Sequence, residues 1–431
     1  MVTTVEDVKA VEQIMPAPVS RQDRLGIHAL VLATVISSIG NHLTAIAIPW
    51  FVYVTTGSAA RTGLVAFAGL LPIAVAGLAG GLAVDRLGFK RASIVADIAS
   101  GLTVAVIPAL YLLDALAYWH LLALAFLGAV LDVPGQAART SLVPGLANRA
   151  GMPLERANAA MQLAMSAASV IGPLTAGILI AAVGATSVLF IDAASFGLSA
   201  FIVAVMVVYR RTIAPTDEQH VIARPSPLSE LFGGVRFLFS NQLLATVIAI
   251  SVAANFLFAP LPSVIFPVYV KETFDRASAL GLLVAGFGGG SIIGTILYGV
   301  LGSRFSRYAI YACGGVAMTA GFWLLPASQS IVVSVAAIAI VGLAIGPINA
   351  IFFVVLQERV PEELMGRVFA AMTSMTMLAS PLGVLAAGFA LEVLDPRWVL
   401  SAIAVGITAI AAVVILHPTM RHIDRSTDNG P

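Results

Sequence analysis

The sequence predicts an all-α integral membrane protein in which twelve transmembrane helices form two similar six-helix halves, and three observations lead there. Of the 431 residues, 59% are hydrophobic and 10% charged, with a mean hydropathy of +0.98. A soluble domain carries about 25% charge, so polar groups here are too few to cover the apolar surface. Twelve apolar stretches are each long enough to cross a bilayer core, which takes roughly 20 residues at 1.5 Å per residue. The second half of the chain also repeats landmarks of the first at a constant offset.

Residues 1–25 mix Glu, Asp, Lys and Gln without an apolar core before a small-residue cleavage site, which reads as a cytoplasmic tail and not a cleaved signal peptide. The N-terminal half, 26–209, has predicted spans at 26–54, 62–84, 92–113, 118–138, 158–182 and 186–209. The C-terminal half, 243–416, has them at 243–269, 279–301, 308–326, 331–356, 368–391 and 398–416, before a cytoplasmic tail over 417–431. The short, nearly uncharged links around Gly184 and from Ala327 to Ser330 predict helical hairpins with very small outer loops. Between the halves, 210–242 is a polar linker containing Pro215, Pro225 and Pro227. From Ser226 to Leu238 it places a Ser before a Pro, then apolar residues at helical spacing, as in a helix lying on the membrane surface.

Charge placement tests the span count independently, because cytoplasmic loops carry excess Lys and Arg. Alternating sides from a cytoplasmic N-terminus puts only Arg61, Lys271, Arg276 and Arg397 of the 23 basic residues outside. An offset of 218 pairs Pro49 with Pro267, Gly63 with Gly281, Gly81 with Gly299 and Arg86 with Arg304. Arg156 with Ala159-Ala160-Met161 is answered by Arg367 with Ala370-Ala371-Met372. Both halves keep one orientation, so an axis along the membrane normal relates them, with a solute path between them near midplane.

Several classes of chemistry are disfavoured. The single Cys313 leaves no internal disulfide framework or Cys-rich metal site, and no P-loop sequence is present. A net charge of +1 gives no sign of a nucleic-acid partner. We therefore expect no enzyme, cofactor or metal, and a gradient as the energy source. Gly286, Gly290 and Gly294 recur every four residues, a spacing that lets another helix approach closely.

Two motifs speak of motion. Between predicted helices 2 and 3 stands Gly80-Gly81-Leu82-Ala83-Val84-Asp85-Arg86-Leu87-Gly88-Phe89-Lys90-Arg91. In helix 5, Ala168 and Gly172-Pro173 precede Ala176-Gly177; the proline kinks the helix and the small residues make a smooth face. The loop resembles the signature of the major facilitator superfamily, although Phe89 stands where the pattern usually has Arg. The helix 5 segment is similar to the glycine-proline motif of that superfamily's antiporting exporters, with Ala168 and Ala176 in place of glycines. Leu146 to Ala159 and Leu356 to Ala370 resemble the branch of bacterial macrolide and tetracycline efflux permeases and siderophore exporters.

The resemblance implies the major facilitator fold and a proton-driven exporter of a small amphipathic compound such as an antibiotic, alternating between two states. It implies a conformational switch at Gly81, Asp85, Arg86, Gly88, Lys90 and Arg91, and a kink at Gly172, Pro173 and Gly177. The arginine that multidrug exporters often carry in helix 4 is absent: Leu124 stands four residues before Gly128. Ionisable residues within spans are costly, so Asp192, His42, Asp97 and Asp132 are the candidate proton sites. Asp192 leads, because no basic residue is near it in sequence, while Asp97 and Asp132 can pair instead with Arg139 or Arg91. In the fold the chain resembles, helices 1, 4, 7 and 10 line the cavity, which selects Asn41, His42, Asn255, Phe256, Phe258 and Asn349 for substrate contact. The expected partners are a small-molecule substrate, protons and the lipid bilayer, in a monomer of the inner cell membrane with both termini cytoplasmic. Two other readings remain open: export of an endogenous siderophore or lipid, and a transport-inactive sensor or scaffold.

Overall fold

The computed structural model describes residues 21–76, 87–208 and 235–424. Among them, twelve apolar helical segments follow one another: α1 (Arg21–Thr56), α2 (Ala59–Ala76), α3 (Phe89–Leu112), α4 (Tyr118–Arg149), α5 (154–183), α6 (185–206), α7 (Gln242–Thr273), α8 (Ala277–Leu301), α9 (Arg307–Ala327), α10 (Ile331–Arg359), α11 (Glu362–Val393) and α12 (Pro396–Leu416). The residues 1–20, most of the 210–242 linker, and Gly81, Asp85 and Arg86 of the switch motif lie outside the described residues. So does most of the expected surface helix; residues 235–240 at its end are helical.

The turns follow from local chemistry. Gly184 is the one non-helical residue between α5 and α6, at φ 81°, a conformation that costs a glycine little and reverses the chain almost without a loop. Asn241 caps α7 by accepting from Leu243 N–H at 3.0 Å and Leu244 N–H at 3.2 Å. Inside α7, Pro260 opens a wider π-turn over Leu261–Ile265. Helix 3 starts at Phe89, earlier than its hydropathy indicates, which puts Asp97 two turns inside it.

The repeat becomes contact geometry where the halves meet. α2 lies along α11 and α5 along α8. At the first crossing a Cβ on Gly63 would sit 2.9 Å from Gly388 Cα, and at the second a Cβ on Gly177 would sit 2.8 Å from Gly281 Cα. The offset of 218 carries Gly63 onto Gly281, and an offset of 211, that of Arg156 and Arg367, carries Gly177 onto Gly388. The two crossings are thus equivalent under the internal symmetry. Gly290 and Gly294 serve a packing role as well, seating α8 against Ala339 and Leu343 of α10.

Burial is unequal along the bundle. At the end remote from the termini, one apolar core joins both halves, Leu43 to Val52 of α1 packing with Leu261 to Val270 of α7. At the end bearing the termini, the main cores of the two halves are separate among the described residues. One holds Ile27, Leu30, Leu142 and Val203 of the first half, the other Leu244, Ile248, Val355 and Met420 of the second. Among the described residues, the halves share a core at the remote end and keep separate cores at the terminal end.

Candidate transport site

Hydrogen bonds repeat this asymmetry. At the remote end they cross between halves: Tyr53 Oη donates to Glu272 Oε1 at 2.7 Å. Glu392, at the end of α11, accepts from Ser58 Oγ at 2.9 and 3.1 Å and from Ala60 N–H at 2.9 Å, so a carboxylate from one half caps the first turn of α2 in the other. Arg61, beside it, lies 5.5 Å from the centre of the Tyr118 ring. At the terminal end, the polar contacts found among the described residues stay within one half. Lys90 Nζ donates to Ala204 O at 2.8 Å and Arg149 Nη1 to Val208 O at 2.7 Å. Arg307 grips Glu358 through two bonds of 2.5 and 2.7 Å. Gly88 opens α3 at φ 76°, and Arg91 is exposed.

Among the described residues, the interior charges belong to the first half. Asp97 of α3 forms a buried ion pair with Arg139 of α4, accepts from Ser199 Oγ of α6 at 2.9 Å, and Arg139 Nε reaches Ser93 Oγ at 3.3 Å. Asp192 of α6 is fully buried against α1, accepting from Thr44 Oγ1 and, at 3.2 Å, from Ser195 Oγ. Room for it comes from Gly40, where a Cβ would clash with both Asp192 and Ser195. Asp132 of α4 takes no arginine; Gln136 Nε2 donates to it at 2.6 Å and the Asn41 side chain also bonds it. Of the pairings with Arg139 or Arg91 open to Asp97 and Asp132, that of Asp97 with Arg139 is the one found among the described residues. His42 packs on the helix 5 motif, and a Cβ on Gly172 would lie 2.5 Å from His42 Cβ. The hydroxyl and carboxyl partners Thr44, Ser195, Ser199, Glu272 and Glu392 carry no sequence signal of their own. Gly388 does, as the repeat counterpart of Gly177.

The second half carries a different set of side chains. Among its described residues, no acidic, basic or histidine side chain lies more than two turns from a helix end. Asn255 and Phe256 of α7 and Asn349 of α10 are exposed. The Phe258 ring is engaged with Phe287 and Phe322, at centroid distances of 6.0 and 5.4 Å. A cavity of about 330 Å³ lies elsewhere, at the remote end among Trp50, Tyr111, Gly184 and Lys271, away from the interior charges.

Two six-helix halves whose described residues share a core at one end and keep separate cores at the other, with buried ionisable groups in the first half, define a polytopic membrane protein of the transporter class. The chain belongs to the major facilitator superfamily, whose sequence profile matches residues 30–274 and 248–430. It is 34% identical over 404 residues to the multidrug efflux pump Tap of Mycobacterium tuberculosis, covering 92% of this chain and 94% of that one. To the macrolide efflux protein A of Streptococcus pyogenes it is 25% identical over 93% of this chain and 97% of that one. Among solved structures it resembles a mutant form of the nucleoside transporter NupG (TM-score 0.74, 14% identity, 90% of this chain and 98% of that one). A bacterial metal transporter is also similar in fold (TM-score 0.65, 16% identity, 92% and 98%).

Proposed function

We propose that the protein exports small amphipathic drugs or antibiotics from the cytoplasm in exchange for protons, as a monomer in the inner cell membrane with both termini cytoplasmic. The observation that carries this reading is the one-sided interior. Titratable groups Asp97, Asp132, Asp192 and His42 lie within the first half, while the second half offers exposed amides and aromatic surface at Asn255, Phe256 and Asn349. An amphipathic body suits the second half, and a proton suits the first. With the termini inside, the end with separate cores faces the cytoplasm, the side from which an exporter loads. The efflux activities in the names of the Tap and macrolide relatives support the same direction. Rocking about the Gly63–Gly388 and Gly177–Gly281 crossings would then break the Glu272 and Glu392 contacts and open the outer end.

The test is accumulation of a panel of antibiotics and dyes in cells that express or lack the protein, with and without a protonophore. Lower accumulation in expressing cells, abolished by the protonophore, is the expected result. Equal accumulation across the panel would sink the export reading.

A further inference from the structure

Two carboxylates lie deep inside the first half, Asp192 toward the outer end and Asp97 toward the inner, and each takes a hydroxyl from the same face of α6. Ser195 serves Asp192 and Ser199 serves Asp97. Four residues of helix separate these serines by about 6 Å along the axis, too far for a direct bond of about 2.8 Å but the span of one bridging water. Helix geometry sets two more hydroxyls at the level of this gap. Ser37 of α1 and Ser100 of α3 are buried, with no hydrogen-bond partner for either Oγ among the described residues.

Their depth follows from the neighbouring glycines. Gly40 abuts Asp192 and Ser195, so Ser37, one turn further in on α1, reaches the level between Ser195 and Ser199. Thr44 and Ser37 are seven residues apart, as are Asp192 and Ser199, so the two antiparallel helices keep these side chains facing one another. On α3, a Cβ at Gly101 would lie 3.1 Å from Phe196 Cβ and 3.2 Å from Ala193 O, which sets adjacent Ser100 at the same level. An unpartnered buried hydroxyl is costly and is satisfied, as a rule, by ordered water.

We propose that Ser37, Ser100, Ser195 and Ser199 hold internal water in a chain that joins Asp192 to the Asp97–Arg139 pair, and that protons cross the first half along it, apart from the substrate cleft. The inference rests on the proton-coupled reading above. A proton leaving the Asp192 carboxyl enters the chain at Ser195; each oxygen gains one O–H bond and releases another, and Ser199 delivers a proton to Asp97. Asp97 is then neutral, its attraction for Arg139 falls, and the inner ends of α3, α4 and α6 loosen. The other charged and titratable groups near this path are Asp132, which acts on Asp192 through space, and His42 on α1.

The test is a Ser37→Ala/Ser100→Ala double variant reconstituted in liposomes, with Ser100→Thr as the hydroxyl-retaining control. Neither Oγ has a protein partner, so removing both breaks no protein–protein hydrogen bond, and thermal stability and substrate counterflow should stay close to the wild type. Transport driven by a pH gradient should fall about tenfold or more, and Ser100→Thr should retain it. Unchanged gradient-driven transport in the double variant overturns the relay, as does an equal loss of counterflow, which would mark a packing defect. A wild type indifferent to the pH gradient overturns the proton-coupled reading and the relay with it.

Discussion

Removing the aspartate of the Asp97–Arg139 pair should destabilise the first half severely. The two side chains are 1% and 4% exposed, so neither charge is screened by solvent. Asp97→Ala leaves the Arg139 guanidinium buried, with the Ser93 hydroxyl at 3.3 Å as its remaining neutral partner. Breaking a buried pair from one side costs about 3–5 kcal/mol, because the surviving charge keeps its desolvation penalty without its counter-charge. Replacing both at once, as Asp97→Leu with Arg139→Met, removes that penalty and restores apolar packing. The double variant should therefore recover most of the loss, even though it carries twice the change. Denaturant unfolding of the purified protein in bicelles, run as a double-mutant cycle, measures both quantities. A loss below about 1 kcal/mol in Asp97→Ala, or a double variant no more stable than the single, would refute the argument that a buried charge is what the pair neutralises.

Three further outcomes are expected. Gly281→Ala places a Cβ 2.5 Å from the Pro173 carbonyl oxygen, a backbone atom that cannot move aside, whereas a Cβ on Gly289 meets nothing within 4 Å. Transport should fall in the first and persist in Gly289→Ala, with a stability cost of about 1–3 kcal/mol for the first in thermal unfolding. Glu392→Gln removes the charge at the start of α2 that helps hold the remote end shut. That contact is worth at most about 1 kcal/mol at an exposed site, so spin-label distances across this end should show the open population rising up to about fivefold. Asp192→Asn should abolish uphill transport while leaving counterflow, and full uphill activity in that variant would remove Asp192 from proton coupling.

The span count was legible in the sequence because hydropathy, charge alternation and glycine punctuation are local properties, read one stretch at a time. Gly184 and the Ala327–Ser330 link show this: each hairpin is written in a few adjacent residues. The crossings of the halves were half legible, since the repeat paired Gly63 with Gly281 but said nothing of Gly388 or Gly177 as their contacts. The interior site was legible only as a set of residue types. Asp97 and Asp132 look alike along the chain, each a carboxylate within a span of the first half. Yet one is buried on Arg139, 42 residues away, and the other shares Gln136 and Asn41.

Hydropathy and the internal repeat by themselves thus determined a membrane bundle of two related halves. Only the tertiary structure decided that the described residues share one core at the remote end and keep separate cores at the terminal end, and that Asp192 meets Thr44 across 148 residues of chain. The physical reason is rotational. Hydropathy tells which residues cross the bilayer, but an all-apolar helix has no strong face of its own. Which side turns toward α1, α6 or the cleft is set by the close approach of small residues on its neighbours.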